Sequence, residues 1–110
     1  IAAHLGESLD HLETATGALL EKMNRQPAAG LLVAEPYLKL LATVVGGWLM
    51  GKAARLASQA IEGGSSDPFY RHKLASARFY ADHLLPRSAG LVVTVQADNS
   101  TLLGLEDEAF

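Results

Sequence analysis

The residues best suited to chemistry in this chain are four histidines, one basic run and one terminal acidic run. His4, Glu7 and His11 are spaced by three and four, which a helix places along one face. Two imidazoles and a carboxylate are metal-ligand types, but the histidines stand two turns apart, and a solvated polar face is the plainer expectation. His72 and His83 are about three turns apart, too far to share an ion, and Arg71 and Lys73 beside His72 disfavour a cation. No metal site is expected. Arg71, Lys73 and Arg78 form the only basic cluster, beside Tyr70 and His72. It can touch a phosphate or a nucleotide tail, or pair with Glu35, Glu62, Asp82 or the acidic end; solvated pairing of that kind is the commoner outcome. Glu106, Asp107 and Glu108 are carboxylates, yet general acid–base work needs a tuned pKa and a chain terminus is ordinarily exposed. The sequence has no G-x-S-x-G, H-E-x-x-H, P-loop or G-x-G-x-x-G. No catalytic residue and no self-contained active site are expected.

A second group of residues speaks to packing. Gly46, Gly47 and Gly51 fall within six residues, and Thr43 lies one turn before Gly47 on the same face. Glycine inside a helix costs roughly 1 kcal/mol relative to alanine, so these positions need a reason. Close helix–helix approach supplies one; a groove for a ligand or acyl chain is the alternative. Trp48, the single tryptophan, is expected in a core or a subunit interface. Thr43, Gly47, Trp48 and Gly51 are therefore the candidate helix-packing or interface residues.

The elements that position these residues are helical. Leu5, Leu9, Leu12, Leu19 or Leu20 and Met23 recur at helical spacing from about Ala2 to Arg25, and Pro27 ends that helix. Ala28 to Ala34 can add one or two turns. The second main helix is expected from about Pro36 to Glu62, with Leu38, Leu41, Val45, Trp48, Leu49, Leu56 and Ile61 on its apolar side, and Gly63-Gly64 as its stop. Asp67 and Pro68 form the clearest helix start, as cap and first helical residue. A third helix follows to about Gln96, with Tyr70, Leu74, Ala77, Ala81, Leu84, Leu91 and Val95 in period. Pro86 inside it predicts a kink or break near Leu84. Asp98 to Ser100 should end regular structure, with Leu102, Leu103, Leu105 and Phe110 available to pack on a neighbour. Short connections make neighbouring helices antiparallel. The expected fold is all-α: an up-down antiparallel bundle of three long helices, or four if the third breaks near Pro86.

Composition agrees. Of 110 residues, 19 are Leu and 18 Ala against 6 Val and 2 Ile, a balance that favours helix over strand. The length allows one domain, residues 1–110, with a radius of gyration of roughly 13 Å if compact. The absence of Cys excludes disulfides, cysteine-ligated metal and thiol catalysis, and fits a cytoplasmic protein. A net charge of −3 argues against nucleic acid and against anionic lipid. The longest apolar run, Leu40 to Gly51, is too short to span a membrane. A chain that opens on Ile1 rather than Met is expected to be processed, or an excerpt of something longer.

Three strings carry a family resemblance: Pro36-Tyr37-Leu38-Lys39-Leu40 running into Gly46-Gly47-Trp48-Leu49, then Phe69 through Ala81 followed by Leu85-Pro86, then Leu105 to Phe110. Together they resemble the C-terminal helical extension of the acyl-CoA dehydrogenases, in the branch similar to methylthiopropanoyl-CoA dehydrogenase. The resemblance implies an excised C-terminal module of a larger flavoenzyme. In that enzyme a glutamate removes the α-proton of an acyl-CoA thioester, FAD accepts hydride from the β-carbon, and an electron-transfer flavoprotein takes the electrons. The family's FAD site and catalytic glutamate lie upstream, so neither is expected here, and Glu106 and Glu108 are not that base. The resemblance implies the core domains of the same chain and a second subunit as partners. Its alternatives are contact of Arg71, Lys73 or Arg78 with the CoA phosphates of a neighbouring active site, or a stand-alone helical interaction domain.

Overall fold

The computed structural model describes residues 1–105. Helix α1 runs Ala2–Arg25, α2 Pro27–Leu32, α3 Ala34–Glu62, α4 Pro68–His83, α5 Ser88–Gln96 and α6 Ser100–Leu103, with a 3₁₀ turn at Leu85–Arg87 between α4 and α5. No strand occurs among the described residues. The protein is an all-α bundle in which α1, α3, α4 and α5 are the principal members.

Local signals set most of the helix ends. Gln26, extended at φ −158°, separates α1 from Pro27 at the start of α2. Helix α3 ends in a paired turn: Ser65 N–H donates to the Ala60 carbonyl and Gly64 N–H to that of Ile61. This Schellman arrangement needs a left-handed residue, and Gly64 supplies it at φ +97° while Gly63 stays right-handed at −77°. Asp67 caps α4 by accepting from Phe69 N–H at 3.0 Å, a contact of a kind worth about 1 kcal/mol.

The expected third helix is broken, so the four-helix form is the observed one. Pro86 has no N–H to continue the α ladder, and the chain tightens into one 3₁₀ turn closed by Arg87 N–H to the Leu84 carbonyl. Regular structure also continues past Asp98, contrary to expectation. The Asp98 carboxylate accepts from both the backbone N–H and the hydroxyl of Ser100, starting α6. The backbone hydrogen bond is the main reason this carboxyl is held below its ordinary pKa. Glu106 to Phe110 lie outside the described residues.

Helices α1 and α3 are antiparallel, as shown by Thr16 against Tyr37 at one end and Leu5 beside Gly51 at the other. Helix α4 returns along α3, with Tyr80 against Thr43. Helix α5 then lies along α1 and α3. The core of Ala15, Val33, Leu40, Val44, Val92 and Val95 fills the space between α1, α3 and α5, with Leu12, Leu19, Tyr37 and Leu91 packed around it.

Two expectations are corrected. First, α3 faces inward with Leu40, Val44, Gly47, Ala54 and Ala57. Leu38, Val45, Trp48, Leu49 and Leu56, expected on its apolar side, are exposed. Likewise α1 buries Ser8 and Ala15, while Leu9, Leu20 and Met23 face out. Both helices satisfy a helical period on more than one face, and packing against their neighbours selects which one is buried. Second, the domain is elongated. Its radius of gyration is 18.8 Å and its extents are 67 × 24 × 16 Å. Its surface is 7222 Å², against about 5,900 Å² for a compact protein of this mass.

Candidate functional site

The small residues of α3 lie against neighbouring elements of the bundle. Gly47 is buried where α3 meets the break between α4 and α5, and a Cβ there would stand 2.5 Å from Leu85 Cδ2. Leu85 is itself 1% exposed. A Cβ on Gly46 would fall on the Tyr80 hydroxyl, which lies in that gap and donates to the Thr43 carbonyl at 2.7 Å. Thr43 Oγ1 turns back to the Lys39 carbonyl at 2.8 Å. Gly51 is looser, since a Cβ would meet only Leu5 Cδ2 at 3.9 Å. The structure thus brings Thr43, Gly46 and Gly47 to close crossings and leaves Gly51 at ordinary contact distance.

Burial raises the Tyr80 pKa above its ordinary value of 10.0. A group whose folded pKa is raised contributes stability that is fully present below its unfolded pKa and lost as pH rises through the folded one. The urea midpoint is therefore expected to fall as pH climbs above 10. In Tyr80→Phe that fall becomes shallower, because the phenol no longer titrates. An identical alkaline slope in the two chains counts against this assignment.

Trp48 sits half exposed on the outer side of α3, with Lys52 Nζ 4.6 Å from its ring centroid. Ile1, Ala2, Leu5, Gly51 and Arg55 join them around an open groove of about 480 Å³. Trp48 is thus outside the core of this chain, and the subunit-interface alternative is the one its exposure accommodates.

A buried polar relay, invisible in the spacing of the sequence, fixes the corner beside Leu85. Ser8 Oγ donates to the Leu85 carbonyl at 3.1 Å, Ser88 Oγ donates to Ser8 Oγ at 3.1 Å, and His11 Nδ1 lies 2.8 Å from Ser88 Oγ. A carbonyl only accepts, and each hydroxyl has one proton, so His11 Nδ1 must be the donor to Ser88. That polarity is opposite to a His base activating a Ser nucleophile, and Ser88 is fully buried. The relay is structural: it ties α1 to the α4–α5 break.

The remaining candidates do not converge. His4 Nε2 lies 3.5 Å from Asp82 Oδ1, while His11 serves the relay, so His4, Glu7 and His11 form no metal site. No cluster of three metal-ligating side chains occurs among the described residues. On α4, Arg71 and Arg78 share an exposed face at i, i+7, whereas Lys73 lies toward Ala53, Leu56 and Phe69. Among the described residues none of the three makes an ion pair; Glu35 pairs with Lys39 and Asp82 with His4.

These surroundings do not fit FAD. Among the described residues every buried side-chain polar atom already has a hydrogen-bond partner, leaving none aimed at a flavin ring. No described helix is long and apolar enough to cross a membrane.

Comparison with curated proteins gives no match. A family model described as acetyl-CoA dehydrogenase C-terminal like matches residues 1–106. Matched along nearly its whole length and folded as a helical unit, the chain belongs to the acetyl-CoA dehydrogenase C-terminal-like family, as a C-terminal domain of an acyl-CoA dehydrogenase.

Proposed function

We propose that this domain is a structural and assembly module of an FAD-dependent acyl-CoA dehydrogenase. It packs against the core domains of its own chain and against a second subunit, and it supplies no catalytic residue. The α,β-dehydrogenation of an acyl-CoA, the FAD and the transfer of electrons to an electron-transfer flavoprotein belong on this reading to the parent enzyme's other domains.

The observation that carries the reading is α3. Its inner face is buried in this domain, yet its opposite face is also apolar and exposed: Leu38 at 61%, Val45 at 44%, Leu49 at 54% and Leu56 at 59%. A helix that is hydrophobic all round is normally buried all round. A contiguous exposed apolar patch of this kind marks an interaction surface. Direct binding of CoA phosphates is less well supported, because Arg71, Lys73 and Arg78 do not face one point.

The test is made in the parent dehydrogenase. Val45→Glu with Leu49→Glu is expected to destabilise the assembled enzyme by about 3 kcal/mol, since two carboxylates would be buried in a dry contact. Smaller species should appear in sedimentation. In the 110-residue chain, at concentrations where it is monomeric, the same pair faces water and should leave the melt nearly unchanged. Unaltered assembly and stability of the parent would overturn the reading.

A further inference from the structure

The outer face of α3 carries a pattern that identifies its partner. Building on the assembly reading above, we propose that this face pairs with the same face of a second copy of this chain, the two α3 helices running antiparallel about a two-fold axis level with Gly47. The exposed aliphatic stripe is Leu38, Val45, Leu49 and Leu56. Their separations of seven, four and seven residues read the same from either end, and the midpoint is position 47. In an isologous contact, residue i meets j and j meets i. Antiparallel helices centred at 47 set Leu38 against Leu56 of the second copy, and Val45 against Leu49 of the second copy, each pair occurring twice.

Geometry keeps the stripe on one face. Leu38 to Leu49 and Val45 to Leu56 are both eleven-residue steps, about 3.67 residues per turn, which lies close to the pitch of a straight helix. The stripe therefore stays aligned over its full length of about 27 Å without strong supercoiling.

Charge and area are compatible with self-pairing. Lys52 is the one ionisable residue within the stripe, and its register partner is the small, exposed Ala42. The two Lys52 levels stand about 15 Å apart, beyond the screening length in physiological salt. Lys39 and Arg55 share a level but lie on opposite edges of the stripe, and Lys39 is neutralised by Glu35 at 2.7 Å. Trp48 lies within one residue of the axis, so the two indoles meet across it. With about half its surface exposed on each side chain, this set presents roughly 500 Å² per copy. Leu41, Ala42 and the Lys52 methylenes extend it toward the about 800 Å² per partner of a specific interface.

The chain has no Cys, so introduced cysteines report the register directly. Copies carrying Leu38→Cys are mixed with copies carrying Leu56→Cys and oxidised. The mixed disulfide is expected to exceed the L38C–L38C product by about tenfold, because the latter's sites are about 27 Å apart. The unmodified chain should sediment as a dimer, with Trp48 emission shifting to shorter wavelength as concentration rises. Leu49→Glu should abolish both while leaving the helical circular dichroism intact. A monomer at about 100 µM, or dominance of L38C–L38C, overturns the pairing. Either result leaves the assembly reading standing as long as the Val45→Glu, Leu49→Glu parent enzyme loses assembly, and an unaltered parent enzyme overturns that reading whatever the isolated chain does.

Discussion

Gly47→Leu is expected to lower the melting temperature of this domain by about 10 °C or to prevent folding. The added side chain enters the space held by Leu85, whose Cδ2 is 2.5 Å from where the first new carbon would sit. Leu85 cannot swing into solvent, because it is 1% exposed. The backbone cannot retreat easily either, because the Leu85 carbonyl accepts from Ser8, and Ser8 is held by Ser88. Overpacking of this sort costs about 1–3 kcal/mol and more when the site is rigid. Relief of glycine's helical penalty returns at most about 1 kcal/mol. A net loss of about 2 kcal/mol corresponds to roughly 10 °C in a domain of this size. Gly51→Ala is the matched control. Its Cβ meets only Leu5 Cδ2 at ordinary contact distance, so the propensity gain survives and the melt should rise by a few degrees. Thermal unfolding followed at 222 nm measures both. Gly47→Leu melting within about 2 °C of the parent chain would show that the crossing is not tight.

The second large effect separates the two apolar faces of α3. Leu40→Ala is expected to cost about 2–5 kcal/mol, as a fully buried Leu truncated in a close-packed core. Leu40 is fully buried beside Ala15, Val44, Val92 and Val95. Leu49→Ala, nine residues on but on the opposite side, should cost under about 0.5 kcal/mol at concentrations where the chain is monomeric, because an exposed site leaves no cavity. Urea denaturation of the two variants gives the comparison. Equal losses would mean that both faces are covered within one chain.

Much of the fold is legible in the residues. Pro27, the Gly63-Gly64 pair and Asp67-Pro68 mark helix ends by restricting φ, by accepting left-handed backbone or by capping free N–H groups, and the observed ends lie close to them. At Asp98 to Ser100 the Asp98 carboxylate accepts from the Ser100 N–H and hydroxyl in a local turn, and a short helix follows where structure was expected to end. Thr43, Gly47 and Gly51 of α3 were visible as small residues on one face. Tyr80, whose hydroxyl occupies the gap over Gly46, was not, because nothing local connects positions 37 residues apart. The Ser8–Ser88–His11 relay was hidden for the same reason.

By itself the sequence determined the helical class, a disruption of the third helix near Pro86, the absence of cysteine chemistry, and the strings that resemble the acyl-CoA dehydrogenase extension. Those properties are local: propensity, capping and composition act within a few residues. Only the tertiary structure decided which side of α3 is interior. Both sides have the helical period, so periodicity cannot choose between them. The choice shows at Gly46 and Gly47, where Tyr80 and Leu85 occupy the space that a side chain would need. Gly47, Ala54 and Ala57 face inward, and Leu38, Trp48, Leu49 and Leu56 face out. The outward residues form a stripe, and that stripe is the surface on which assembly is proposed.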